Sequence, residues 1–222
     1  MPMPPVKICG VSNDEAIVAA AHGGATFVGL VFFSASPRHL GVEEAAKLAG
    51  TARSLGLKTV GVFVDPDDAL LAETVACCDL LQLHGQETPE RLAEIRTCHA
   101  RPLIKAIPVA AAGDLLRISD YETCADRLLF DAKPPADAVL PGGAGRRFDW
   151  SLLAEIPADL RQRCLLSGGL DPNNVTAAIR AAPGFGLDVS SGVEDKPGVK
   201  SPAKIRAFLK AVRRAATMDE TS

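Results

Sequence analysis

Eight short apolar runs, each closed by a cluster of Gly, Pro, Asp or Ser, constrain this chain more than any other feature. They read VKIC, FVGLVF, KTVGVFV, LLQLH, PLIKAI, RLLF, RCLLS and FGLDV. Such runs are too short for helices and lack strict apolar–polar alternation, which is the pattern of strands buried on both faces. Between them Ala, Leu and Ile recur at three- and four-residue steps, as in Glu43 to Ser54 and Pro202 to Ala215. A strand followed by a helix, eight times over in 222 residues, predicts an α/β protein built as a single (β/α)8 TIM barrel. An open doubly wound sheet is the alternative, but no G-x-G-x-x-G follows the first strand. No linker divides residues 1–222, which therefore read as one domain with a tail expected to be loose from about residue 215.

Composition narrows the function classes. At 47% hydrophobic residues the chain has enough apolar matter for a full core. Its 24 basic and 27 acidic residues include no run of about five or six like charges, so nucleic acid is not an expected partner. The start, MPMPPVK, lacks the basic-then-apolar order of an export signal, and the longest apolar stretch, around Phe27 to Phe33, is too short to span a bilayer. A cytoplasmic protein without membrane partners is expected. The six cysteines include no C-x-x-C pair, so neither a disulfide framework nor a zinc site is signalled, and no metal is expected.

In a barrel the carboxyl ends of the strands share one rim, where barrel enzymes place their chemistry. Cys9 closes strand one, Asp131 strand six, Ser167-Gly168-Gly169 strand seven and Asp188 to Gly192 strand eight. The glycine loops SGGL and SSGVE, after two adjacent strands, offer backbone N–H groups to a phosphate; Gly168, Gly169, Ser191 and Gly192 are the candidate residues. Either loop alone reads as ordinary turn chemistry. The two together point to a phosphorylated small molecule.

An apolar-flanked cysteine by itself reads as core filler. Its place at a strand's carboxyl end makes Cys9 a candidate base, and Lys7, two residues back on the same face, is a cation that would favour its thiolate. Asp131 is either a loop cap or a carboxyl at the end of a buried strand, placed to give up a proton. Arg38, in SASPRHL, offers a planar fork for a carboxylate or is simply a solvated surface charge. Asp188 is an inward-facing candidate for orienting a ligand donor, and His84, in QLHG, a rim residue.

The segments KICGVSN, GLVFFSASPRHL, VGVFVD, LLQLHG, IKAI, LLFDAK, PGGAGRRFDW, LSGGLDPNNV and DVSSGVEDKPGVK, in this order from Val6 to about Phe208, resemble the phosphoribosylanthranilate isomerase family of tryptophan biosynthesis. The resemblance implies a single barrel and a cofactor-free Amadori rearrangement of N-(5-phosphoribosyl)anthranilate to 1-(2-carboxyphenylamino)-1-deoxyribulose 5-phosphate. It also implies that Cys9 is the general base and Asp131 the general acid, that Arg38 faces the anthranilate moiety with Asp188 near its amine or carboxylate, and that the loops of Gly168-Gly169 and Ser191-Gly192 hold the phosphate. A monomer or homodimer is expected. Two positions depart from the family's pattern: GGAG has Ala144 where the family usually has a hydroxyl residue, and Ser201 follows Lys200 where the family often has aspartate. Serine caps a helix about as well as aspartate does.

Two other readings stay open on the sequence. The related aminoimidazole-carboxamide ribotide isomerases of histidine biosynthesis share the barrel and the rearrangement, but they use aspartate where Cys9 stands and are built of two half-repeats that this chain does not display. A non-catalytic phosphosugar-binding barrel would keep the glycine loops but has no need of Cys9 together with Asp131.

Overall fold

All eight runs form parallel strands, and the sheet closes on itself in the order β1 to β8. In the computed structural model, which describes residues 3–218 apart from 136, 139 and 144, these are Val6–Cys9 (β1), Phe27–Val31 (β2), Lys58–Phe63 (β3), Leu80–Leu83 (β4), Leu103–Val109 (β5), Arg127–Ala132 (β6), Cys164–Leu166 (β7) and Gly186–Val189 (β8). Closure comes from pairing of β1 with β8, whose register sets Lys7 opposite Asp188. Residue 144, one of the two departures noted above, lies outside the described residues.

The helical layer is less regular than the strands. Asp14–Gly23 (α1), Val42–Ser54 (α2), Asp68–Thr74 (α3) and Pro89–His99 (α4) follow β1 to β4. Their starts carry local signals: Asn13, Asp67 and Thr88 each accept a backbone N–H three residues on. After β5 and β6 the expected helices shrink to Ile118–Tyr121 (α5) and Ala158–Arg161 (α6), each preceded by a 3-10 turn. Gly113, Ser119 and Asp120 weaken the first stretch, and Pro157, which has no N–H to give, divides the second. Val175–Ala181 (α7) and Pro202–Met218 (α8) complete the ring.

Of the tail expected to be loose from about residue 215, the part up to Met218 continues α8, with Ala215 and Ala216 buried, and residues 219–222 lie outside the described residues. The α8 turn starts as Ile205 N–H bonds to the Ser201 carbonyl at 2.9 Å. The Ser201 side chain hydrogen-bonds to the Asp195 carboxylate. A two-stranded hairpin absent from the sequence reading, Glu194–Lys196 (β9) with Val199–Lys200 (β10), precedes α8.

Strand parity sorts the side chains. Outward residues such as Ile8, Leu30, Leu81 and Leu128 pack against the helices, while Phe27, Val60, Leu80, Ile104, Leu129 and Leu165 plug the amino-terminal half of the barrel interior. Lys7, Gln82 and Asp188 lie above that plug, all buried. Among the described residues no helix is long and apolar enough to cross a membrane.

Candidate active site

Above this polar layer the barrel opens into a pocket enclosing about 860 Å³ of non-protein space, part of it open to solvent. Cys9, Arg38, His84, Asp131 and Asp188 all line it, as do Gly168, Gly169 and Ser191. The strands and loops thus bring together residues spread from position 9 to position 191.

Two expected residues sit elsewhere. Lys7 is completely buried beneath the pocket floor and is not in its wall. Gly192 is also outside the wall; a Cβ there would stand 1.9 Å from the Leu170 carbonyl oxygen, so its glycine lets the loops after β7 and β8 touch.

On the β1 and β8 side, Lys7 Nζ donates to Asp188 Oδ1 at 3.0 Å and to Gln82 Oε1 at 2.8 Å, and the Ser167 hydroxyl donates to Asp188 Oδ2 at 3.2 Å. Burial works against the Lys7 charge, but Asp188 and the Cys9 sulfur outweigh it and hold the ammonium above the usual lysine range. For Cys9 the balance is the reverse. Burial pushes its thiol up, Asp188 adds to the push, and Lys7 only partly opposes them, so the thiol lies above its usual range. Lys7 acts on the thiol in the expected direction, favouring the thiolate, but it does not offset the burial.

On the opposite side, Asp131 Oδ1 accepts the Ala132 N–H at 2.8 Å and Oδ2 lies 3.4 Å from His84 Nε2. The chain after β6 roofs this pair. A Cβ on Gly142 would come within 2.4 Å of Asp131 Oδ2 and 2.8 Å of His84 Nε2, so only glycine allows the backbone to pass there.

Arg38 is neither solvated nor fully free for a ligand. Its Nε and Nη2 grip both oxygens of Glu194 at 2.7 and 2.9 Å, and Nη2 also donates to the Gly143 carbonyl at 3.1 Å. Nη1 has no hydrogen-bond partner among the described residues. Lys200 joins this cluster through Glu194 Oε1 and through the Ser190 carbonyl at 3.1 Å. Burial raises the Glu194 carboxyl, but Arg38 and Lys200 outweigh it and hold it below the usual carboxylate range.

Glu194, Lys200 and Gln82 were missed by sequence reasoning. For Gln82 a signal existed: a polar residue two positions before His84 on a strand shares its face. For Glu194 and Lys200 there was none, because the hairpin that buries them has no periodic pattern.

Residues 6–211 match the family model described as N-(5'phosphoribosyl)anthranilate (PRA) isomerase. The chain is 50% identical over 212 residues to N-(5'-phosphoribosyl)anthranilate isomerase of Azorhizobium caulinodans, covering 95% of this chain and 92% of that one. It is also 50% identical over 207 residues to the protein of that name from Rhodospirillum centenum, covering 92% and 95%. Among solved structures it resembles phosphoribosyl anthranilate isomerase from Thermotoga maritima with a TM-score of 0.82 and 34% identity, over 96% of this chain and all of that one. A crystal structure of such an isomerase in complex with reduced 1-(o-carboxyphenylamino)-1-deoxyribulose 5-phosphate gives a TM-score of 0.81 at 32% identity, over 96% of this chain and all of that one.

Proposed function

Because the chain belongs to the N-(5'-phosphoribosyl)anthranilate isomerase family and is an isomerase of tryptophan biosynthesis, we propose that it performs the Amadori rearrangement with Cys9 as general base and Asp131 as general acid. The observation that carries this reading is the placement of a thiol and a carboxyl, from the ends of β1 and β6, in the wall of one pocket that also holds the two glycine loops.

Asp131 protonates the furanose ring oxygen while the anthranilate nitrogen pushes its lone pair toward C1′, so the C1′–O bond breaks and a protonated Schiff base forms. The Cys9 thiolate then takes the C2′ proton, and those electrons neutralise the iminium to give an enolamine. Loss of the C2′ hydroxyl proton and protonation at C1′ yield the ketose. Each positioned proton transfer is worth about 10²- to 10⁴-fold. Lys7, held charged directly below, offsets the negative charge on sulfur.

The phosphate is assigned to the Gly168-Gly169 and Ser191 loops, the anthranilate carboxylate to Arg38 Nη1, and the orientation of the amine to Asp188. Ring opening and proton shuttling balance without a redox step, so the residues named carry the chemistry.

The test is the loss of anthranilate-type fluorescence when the protein meets freshly made phosphoribosylanthranilate. Rapid loss by the wild type, absent in folded Cys9→Ala and Asp131→Asn variants, is expected. A folded variant that keeps the wild-type rate removes that residue from its role.

A further inference from the structure

Gln82 is completely buried on β4, below the pocket, and its amide touches two groups whose bonding is fixed by their chemistry. At one end lies the Lys7 ammonium, 2.8 Å from Oε1; an ammonium only donates, so the atom facing it must be the amide oxygen. The amide NH2 must then face the other way, where it stands 2.9 Å from His84 Nδ1. A donor facing Nδ1 requires a lone pair there, which puts the imidazole proton on Nε2. That nitrogen is the one 3.4 Å from Asp131 Oδ2. Turning the amide over would set NH2 against the ammonium, and a proton on Nδ1 would set N–H against N–H. Both ends lock the same arrangement in a site without room for an alternative.

We propose that Gln82 is a positioning residue that keeps His84 in its neutral Nε2–H tautomer, so that His84 donates to the carboxylate Asp131 leaves behind when it protonates the ring oxygen. The inference rests on Asp131 being the general acid. A carboxylate formed in a pocket roofed by Gly142 needs a donor in place before the proton moves, since rearranging one during the reaction would cost part of the gain. Lys7 thereby serves both halves of the site. Its one ammonium faces Cys9 and Asp188 on one side and, through Gln82 and His84, sets the donor for Asp131 on the other.

The experiment starts with the unmodified protein. Nitrogen NMR of the four histidines, with His84 assigned through a His84→Gln variant, is expected to show His84 with an unprotonated Nδ1 and a protonated Nε2. Gln82→Glu keeps an oxygen for Lys7 but turns an acceptor toward Nδ1. It is expected to move the proton onto Nδ1 and to lower kcat about 10-fold or more while KM stays within about 3-fold. Gln82→Met, which offers Nδ1 nothing, is expected to lower kcat less than Gln82→Glu does. A wild-type His84 protonated on Nδ1, or a Gln82→Glu variant with the wild-type kcat, overturns the proposal. The two levels separate cleanly: turnover that survives Asp131→Asn removes the acid assignment itself, whereas an inactive Asp131→Asn beside a fully active Gln82→Glu removes only the role of Gln82.

Discussion

Lys7 on β1 and Lys105 on β5 are both completely buried, both flanked by apolar residues, and both salt-bridged to a carboxylate. They lie on opposite faces of the same sheet. Lys7 points into the barrel, toward Asp188, Cys9 and Gln82. Lys105 shares the outward parity of Leu103 and Ile107, pairs with Glu87, donates to the Gly85 carbonyl at 2.8 Å, and sits 5.5 Å from the Tyr121 ring centroid. Glu87 in turn accepts the N–H groups of Asp65 and Gly85 at 2.9 and 3.0 Å, so this outer pair braces the loops after β3 and β4. The electrostatics differ as well. Burial lowers the Lys105 ammonium below its usual range, and Glu87 and Asp65 do not make up the loss, whereas Lys7, with Asp188 and Cys9 beside it, is held above. One step along a strand separates a cation that serves the pocket from one that holds the scaffold.

The largest expected effects lie on the inner side. Cys9→Ala and Asp131→Asn should each lower turnover by at least about 10²-fold, on the scale of a lost proton transfer, with little change in melting temperature. Turnover by the fluorescence assay, with circular dichroism of the same samples, checks this.

The comparison itself is tested by Lys7→Met against Lys105→Met. Removing Lys105 leaves Glu87 buried without its cation, and losing one partner of a buried pair costs about 3–5 kcal/mol. Turnover per folded molecule should stay within about 3-fold of wild type, because the hydrogen-bond partners of Lys105, namely Leu83, Gly85 and Glu87, are not in the pocket wall. Lys7→Met should cost stability for the same reason and, in addition, about 10-fold or more in turnover. Denaturant unfolding and active-site-normalised kinetics decide the matter. A Lys105→Met variant that is stable but inactive would break the distinction.

A smaller effect concerns pH. Because the Cys9 thiol lies above its usual range, its thiolate fraction grows only as pH climbs past the ordinary thiol value of about 8.5. In the free protein, iodoacetamide should therefore label the exposed Cys98 at neutral pH well before Cys9, with Cys9 labelling rising on the alkaline side; mass spectrometry of the digest resolves the two. Labelling of Cys9 ahead of Cys98 at pH 7 would contradict the balance of charges described above.

The smallest effect belongs to the rim cluster of Arg38, Glu194 and Lys200. The Glu194 carboxyl is held below its unfolded value, so its contribution to stability is present above about pH 4.3 and fades as pH falls through the lower, folded value. Glu194→Gln should flatten the acid limb of the stability curve over that window. An unchanged limb would mean that the cluster, unlike the two lysine pairs, does not couple folding to charge.

Much of the fold was legible in the chain. The apolar runs located every barrel strand. The weak helices after β5 and β6 were not anticipated, since eightfold regularity invites an eightfold reading while Gly113 and Pro157 act locally against it. At the site, Cys9 and Asp131 were legible because strand ends share a rim. For Arg38 the solvated alternative fails, because the side chain is buried in the pocket wall. Its partner Glu194 lies 156 positions away on a hairpin that no spacing announces.

The sequence by itself determined the alternation of strand and helix, and therefore which residues stand at the carboxyl ends of strands. That follows because burial on both faces and turn chemistry are local properties of short segments. Only the tertiary structure decided which face each residue takes and what it meets there. Closure of β1 onto β8 sets Lys7 opposite Asp188, and inward parity turns Gln82 toward both Lys7 and His84. Outward parity spends Lys105 on Glu87. The physical reason is that a charge buried in a low-dielectric interior takes its meaning from partners within a few ångströms, and a closed barrel chooses those partners across the whole length of the chain.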